Sequence, residues 1–332
     1  MIAVLVIPTG VGAAIGGNAG DGNPVAKLLA SCCDTLITHP NVVNASDINE
    51  MPENVLYVEG SMLDRFLRGE IELERVRTYN RILVVANPPL TNETINAVSA
   101  SRATIGAHVE ILQLTEPLKM VARIEQGIRA GGELDGVAQL LLDVGKLDFN
   151  ALAIHTPIEV SPDVALAYYR HGGINPWGGI EAKLSKIVSE KLGKPVAHAP
   201  LENTSPDDEE LYFVFKRDPV VPRIAAEAIS TCYLHCVLKG LHRAPRIGRG
   251  LSWRDVDVLI SPYKCWGPPH EACMANRIPV MAVRENTICG PVQTPEHTVV
   301  ENYLEAAGLL MSMRAGVQPA SVRHPFAKTK VL

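Results

Sequence analysis

Aromatic residues are scarce in this chain: Phe, Trp and Tyr make up only 5% of its 332 residues. Long basic runs are missing too, and the formal net charge is −5. A nucleic-acid surface needs clustered cations and stacking rings, so nucleic acid is not an expected partner. Long hydrophobic runs are also missing. Residues 1–7 read Met-Ile-Ala-Val-Leu-Val-Ile, apolar but too short for a membrane span, without a basic leader region or a cleavage site. A buried first strand explains that stretch, and no membrane partner is expected. The cysteines number seven, an odd count that includes the adjacent Cys32 and Cys33. A secreted disulfide framework would not look like this, so a reducing compartment, the cytoplasm, is expected.

Two metal signals are absent. There is no His-Glu-x-x-His and no pair of Cys-x-x-Cys motifs. Cys232, His235 and Cys236 lie close in sequence, but the two cysteines read as core positions of an apolar helix. No metal and no cofactor are expected. With 47% hydrophobic residues and few rings, the core must be mainly Val, Ile, Leu and Ala. That bias suits buried parallel strands under helices.

What is present is a recurring pattern. A short, continuous, mostly β-branched run ends in a polar residue, with proline close by. Val4 to Ile7 ends at Pro8, and Leu36-Ile37 leads to Thr38-His39-Pro40. Ile82 to Val85 leads to Asn87-Pro88-Pro89, and Leu152 to Ile154 leads to His155-Thr156-Pro157. Val196-Ala197 leads to His198-Ala199-Pro200, and Val258 to Ile260 leads to Ser261-Pro262. Val280 to Val283 leads to Arg284-Glu285-Asn286 without proline. Continuous apolar runs mark strands covered on both faces, and proline marks where pairing stops. Three runs share one shape, residues 33–38, 149–155 and 256–261, which the demands of a buried parallel strand explain without common descent.

Helical stretches alternate with these runs. Asn23-Pro24 and Ser161-Pro162-Asp163 are helix starts. Residues 181–192 have helical spacing and stop at Gly193. Residues 223–239 form the longest candidate, closed by Gly240, and residues 272–276 and 302–313 complete the set. The acidic run Asp207-Asp208-Glu209-Glu210 reads as a solvated loop or helix start. The expectation is an α/β fold with a mostly parallel, doubly wound, Rossmann-like sheet. It is either one large sheet or two similar lobes, residues 1–148 with the glycine-rich loop and residues 149–332.

In open α/β sheets, ligands bind beyond the carboxyl ends of the strands. The most informative segment there spans residues 8–22. Glycine allows close approach of backbone to ligand, and successive N–H groups before a helix form an anion site. It is not a dinucleotide fingerprint, because Ile15 stands where the third glycine belongs, and no Gly-Lys-Ser/Thr makes it a P-loop. Thr9, Gly10, Gly12, Gly16, Gly17, Asn18 and Asp21 are its candidate binding residues, joined by Asn41, Asn44 and Ser46 after the second run. The loops 10–22 and 39–46 are expected to face one cleft. A second glycine cluster offers Asn175, Trp177 and Glu181, and Asn286 follows a later run. Candidate catalytic groups are His39, His198, Glu285 and Cys265, the last flanked by Lys264 and His270, whose charges could lower a thiol pKa.

The strings Ile7-Pro8-Thr9-Gly10, Gly16-Gly17-Asn18-Ala19-Gly20-Asp21 and Ile37-Thr38-His39-Pro40-Asn41-Val42-Val43-Asn44-Ala45-Ser46 resemble a family known as domain of unknown function 3326. So do Asn175-Pro176-Trp177-Gly178-Gly179-Ile180-Glu181-Ala182, Ala197-His198-Ala199-Pro200, Leu238-Lys239-Gly240-Leu241-His242-Arg243-Ala244-Pro245 and Ile278-Pro279-Val280-Met281-Ala282-Val283-Arg284-Glu285-Asn286. The resemblance covers nearly the whole chain. It implies a full-length family unit rather than a fusion, and it carries no activity with it.

The residues themselves point to an enzyme acting on a small anionic metabolite, a carboxylate or similar, without a redox cofactor. Isomerisation, hydrolysis and elimination need only such groups. A nucleotide- or nucleotide-sugar-binding transferase and a non-catalytic metabolite sensor are the alternatives. The oligomeric state is not readable, and a homodimer is one option.

Overall fold

The computed structural model describes residues 1–16, 21–59, 61–201, 220–228, 232–289, 298–326 and 328–331. Gly17, Asn18, the side chain of Ser46 and the acidic run 207–210 lie outside the described residues.

The chain forms an α/β structure with mostly parallel sheets. The larger sheet has six parallel strands in the order β14-β13-β12-β1-β2-β3. These are β1 (Ile2–Leu5), β2 (Thr35–Thr38), β3 (Val55–Tyr57), β12 (Val258–Pro262), β13 (Val280–Val283) and β14 (Thr298–Val300). The second sheet has four parallel strands in the order β10-β9-β5-β6. Its members are β5 (Arg81–Ala86), β6 (His108–Gln113), β9 (Ala151–Pro157) and β10 (Val196–Leu201). Strands from both sides of residue 148 therefore enter each sheet.

Burial explains why these segments are strands. Side chains alternate across a strand, and here both faces are covered. Ala3, Leu5 and Ile7 pack with Leu29 of α1 (Asn23–Ala30), while Val4 and Val6 pack with Leu63 and Phe66 of α2 (Met62–Leu67). The second sheet repeats the arrangement. Leu83, Val85, Leu152 and Ile154 face one layer, which includes Leu140 of α4 (Val137–Val144) and Leu184 of α6 (Gly178–Leu192). Ile82, Val84, Ala151 and Ala153 face the other, with Ala97 of α3 (Asn92–Ile105) and Leu238 of α8 (Tyr233–Arg243). Val4, Ile37, Val85, Ile154, Leu259 and Val283 are all fully buried in these sheets. Each such side chain contributes about 1.5–3 kcal/mol on leaving water.

Helix starts follow the sequence signals. Pro24 opens α1, and Pro162 opens α5 (Pro162–His171) after Ser161. Gly193, at φ +63°, ends α6. The single helix expected over residues 223–239 differs from what is seen. A short helix α7 (Ala225–Ala228) precedes α8, which runs on through Gly240 to Arg243. Gly240 lies buried within α8 with Leu238 and Leu241, so it does not end the helix. Two later helices follow: α9 (Pro268–Asn276) and α10 (Tyr303–Ala315).

Two small antiparallel pairs complete the structure. One joins β4 (Leu73–Glu74) to β11 (Arg246–Ile247). The other is the hairpin of β7 (Lys119–Glu125) and β8 (Arg129–Asp135). The hairpin escapes the sequence reading because Gly131 and Gly132 interrupt its alternation. At Gly179, near the start of α6, an added Cβ would overlap the carbonyl of Ala130, so the helix and the hairpin meet backbone to backbone. Among the described residues no helix is long and apolar enough to cross a membrane.

Candidate functional site

The larger sheet changes direction at β1: β2 pairs on one side of it and β12 on the other. The chain leaves β1 into the glycine-rich loop, which crosses to the second sheet's elements. Gly10, at φ +69°, accepts a hydrogen bond from the Ala130 N–H at 2.8 Å. Thr9 packs on Gly178, where an added Cβ would overlap its Oγ1. The two glycine-rich segments of the sequence thus meet at the start of α6.

Three residues on from Gly178, Glu181 points towards the end of β10. Its Oε1 lies 3.0 Å from Nδ1 of His198. The other imidazole nitrogen, Nε2, lies 3.0 Å from Thr156 Oγ1 and 3.1 Å from the Thr156 carbonyl on β9. The His198 side chain is fully buried, while that of Glu181 is 25% exposed. The pair therefore runs from the interior of the second sheet towards solvent.

Glu59 lies just past the end of β3 in the larger sheet. It is 4% exposed, and its Oε1 has no hydrogen-bond partner among the described residues. Burial pushes its pKa up to about 8, the Tyr57 hydroxyl beside it partly offsets this, and repulsion from Glu181 adds to the rise. Tyr57 is itself buried, its own pKa driven upward mainly by burial and then by Glu59. On the opposite face of β9, His155 bonds the Ala199 carbonyl through Nδ1 at 2.9 Å. Its buried Nε2 has no partner among the described residues. Burial, with a smaller contribution from His198, holds its pKa down to about 4 against the upward pull of the Ala199 bond.

Other candidates have different surroundings. Nε2 of His39 accepts a hydrogen bond from the Ile7 N–H at 3.1 Å, so the neutral ring carries its proton on Nδ1. Burial holds its pKa down to about 4. Asn41 donates to the Ile7 carbonyl at 2.8 Å. Together these two side chains fix the backbone where β1 ends. Between the two loops, Gly16, at φ +77°, sits against Ile7 and the Asn41 carbonyl, and Asn23 bonds Asp47. Asn44 accepts from the Asp47 N–H through its carbonyl.

Asp21 is paired with Arg223 at 2.7 Å, and the same guanidinium donates to the Ala13 carbonyl. Gly12, at φ +64°, lies against Cys289 and Ile174. The Asn286 side chain is fully buried. It accepts from the Ile15 N–H at 2.9 Å, and donates to the Ile15 carbonyl at 2.9 Å and the Tyr303 hydroxyl at 2.7 Å. Glu285 accepts from the Tyr303 N–H. Asn175 caps α6, accepting from the N–H groups of Trp177 and Gly178, and Trp177 packs between Tyr168 and Tyr169. Asn286, Glu285 and Asn175 thus each hold main chain.

Cys265 is corrected more firmly. It is buried, and burial alone pushes its thiol up to about 12, opposite to what a nucleophile needs. His270 turns away to Ser261 Oγ at 2.9 Å and stacks on Trp266. Sequence reading missed Glu59, although Val55-Leu56-Tyr57-Val58-Glu59 has the shape of the other strand ends and lacks only the proline. Surface grooves lined by Arg81 and Asp148, and by Arg102 and His108, lie at the opposite, amino end of the second sheet. They hold no comparable buried acid or base. Among the described residues no three His, Cys, Asp or Glu side chains are grouped to hold a metal ion.

Comparison with known proteins gives one curated relative, named an uncharacterized lipoprotein, from Synechococcus sp.. It is 35% identical over 344 residues, covering 97% of this chain and 93% of the relative. No solved structure matches. The family model described as "Protein of unknown function (DUF3326)" matches residues 2–323, and the chain belongs to that family.

Proposed function

We propose that this protein is an enzyme that moves a proton on a small carboxylate, or a similar polar metabolite, without a redox cofactor. The observation that carries this reading is the Glu181–His198 pair, which joins the first turn of α6 to β10, together with the buried carboxyl of Glu59 past the end of β3. Buried acid and base groups of contrasting environment are the mark of proton-transfer sites. We read the larger sheet as Rossmann-like, since its order, β3-β2-β1-β12-β13-β14, is that of doubly wound dinucleotide folds. The glycine loop then leaves β1 at the switch point and brings a bound anion towards α6.

The transferase and sensor readings rest on the loop alone and give the buried acid–base group no task. A cytoplasmic location belongs to the same proposal. All seven cysteines are free thiols, which suits a reducing compartment. The name of the Synechococcus relative points that protein to lipid modification.

A thermal-shift screen of small carboxylates and nucleotides tests the reading. A carboxylate at about one hundred times its Kd adds about 2.7 kcal/mol of stability. We expect such a shift with wild type and its loss or marked reduction in His198→Asn. Stabilisation by nucleotides and by no carboxylate would contradict the proposal.

A further inference from the structure

We propose that the free edge of β6 joins two copies of this chain by antiparallel pairing, so that two four-stranded sheets become one continuous sheet. In that contact His108 of each copy stands opposite Glu110 of the other. The edge is separate from the acid–base group described above and does not depend on its role.

β6 pairs with β5 on one side, and no described strand pairs with it on the other. The Leu114 N–H, just past its end, donates to the Ala86 carbonyl at 2.9 Å. Main-chain direction alternates along a strand. Glu110 and Leu112 therefore turn their N–H and C=O groups to β5, while Val109 and Ile111 turn theirs outward. Among the described residues those outward groups have no hydrogen-bond partner. Soluble proteins blunt such an edge with lysine, proline, a bulge or a very short strand. β6 has none of these: it runs His-Val-Glu-Ile-Leu-Gln over six residues, in unbroken register with β5. The edge strands β3 and β14 of the larger sheet have three residues each.

Charge selects a second copy as the occupant. His108 and Glu110 are exposed and lie on one face of β6. When two β6 strands pair antiparallel about a twofold axis through Val109, each Val109 exchanges both main-chain hydrogen bonds with its counterpart. His108 then stands directly opposite Glu110 of the other copy, twice, in the closely spaced pairs where opposite charge stabilises. Arg81, held by Asp148, is the β5 neighbour of His108 in the ladder, so the incoming carboxylate meets a guanidinium as well as an imidazole. Sliding the pairing so that the axis passes through Glu110 would set two carboxylates face to face, which like charge disfavours. Two grooves run beside the first half of β6. One reaches Leu147 and the other Tyr79, which are 42% and 45% exposed. A second edge laid along β6 covers apolar surface there, and a twofold contact closes at two copies.

Sedimentation velocity from about 1 to about 100 µM tests the proposal. Wild type is expected to reach twice the 35.9 kDa of one chain, with the Val109 amide exchanging more slowly with deuterium at the upper concentration. His108→Glu sets carboxylates opposite each other, and Glu110→Lys sets a lysine against His108 and Arg81. Both positions are exposed, and each variant is expected to sediment as a single chain. An equal mixture of the two restores opposite charges at both pairs and is expected to regain the doubled mass. Val109→Pro removes an outward N–H and no bond to β5, so it is expected to abolish the doubling with the circular dichroism spectrum unchanged. A single-chain mass for wild type throughout overturns the proposal and leaves the edge to an extended peptide. A doubled mass that survives both charge variants overturns it and moves the contact to another surface. Two variants that stay apart when mixed overturn the pairing of His108 with Glu110.

Discussion

Nδ1 of His198, on β10, lies 3.0 Å from Oε1 of Glu181, in the first turn of α6. The strand and the helix are packed together through Val196, Leu184 and Val188, so the two side chains are held by the core beneath them. A contact held in this way is energetically coupled. Glu181→Ala and His198→Ala, singly and together, are expected to show an interaction energy of about 0.5–3 kcal/mol in chemical denaturation. Strict additivity would mean that the pair is not formed in solution.

Stability should depend on pH in two opposed ways. His39 and His155 are held neutral, with pKa values of about 4 against an ordinary 6.5. Their contribution is complete above pH 6.5 and is lost as pH falls towards 4, because the unfolded chain binds protons first. Each is worth up to about 3 kcal/mol. Glu59 works the other way, with a folded pKa of about 8 against 4.5. Its contribution is complete below pH 4.5 and is lost as pH rises to 8, by up to about 5 kcal/mol. Glu59→Gln should therefore gain stability relative to wild type between pH 5 and 8.5. Denaturation curves that keep a constant spacing over that range would contradict the assignment.

The thiols should react in an order set by burial. Cys289 is exposed, whereas burial pushes Cys265 and Cys273 up to about 12 and Cys33 up to about 11. Iodoacetamide at pH 8, read by peptide mass spectrometry, should label Cys289 first and Cys265 only on unfolding. Early labelling of Cys265 would restore the nucleophile expected from its neighbours in sequence.

The close approach of α6 to the hairpin is open to a paired glycine test. Gly179→Ala places a methyl group against the Ala130 carbonyl and Gly131 nitrogen, main-chain atoms that cannot move cheaply. A loss of about 1–3 kcal/mol is expected, the range of overpacking. Gly308→Ala, inside α10 with open space around it, should instead gain about 0.5–1 kcal/mol. Equal effects in thermal melts would mean that the α6 contact is not as tight as described.

Much of the fold was legible because buried parallel strands leave continuous apolar runs, and β1, β2, β5, β9, β10, β12 and β13 all have one. The missed strands lack that mark. In β6 exposed His108 and Glu110 alternate with apolar residues at a sheet edge, and β14 and β3 are three residues long. Missing β3 meant missing Glu59. His198 and Glu181 were each visible, one as a strand-end histidine and the other beside a glycine cluster. Their pairing was not, because it depends on α6 folding back along β10, which no local spacing encodes. His39, Asn41 and Asn286 look like ligand contacts in sequence for the same reason that they fix main chain: a polar side chain at a strand end can serve either partner.

The most direct measurement is deuterium incorporation at carbon, followed by proton NMR, for a panel of small hydroxy carboxylates incubated with the protein in D2O. Wild type should exchange the proton next to the carboxylate of at least one compound, with Glu181→Gln and His198→Asn slower by about 100-fold or more. No exchange in any compound, or exchange undiminished in both variants, would contradict proton transfer by this pair.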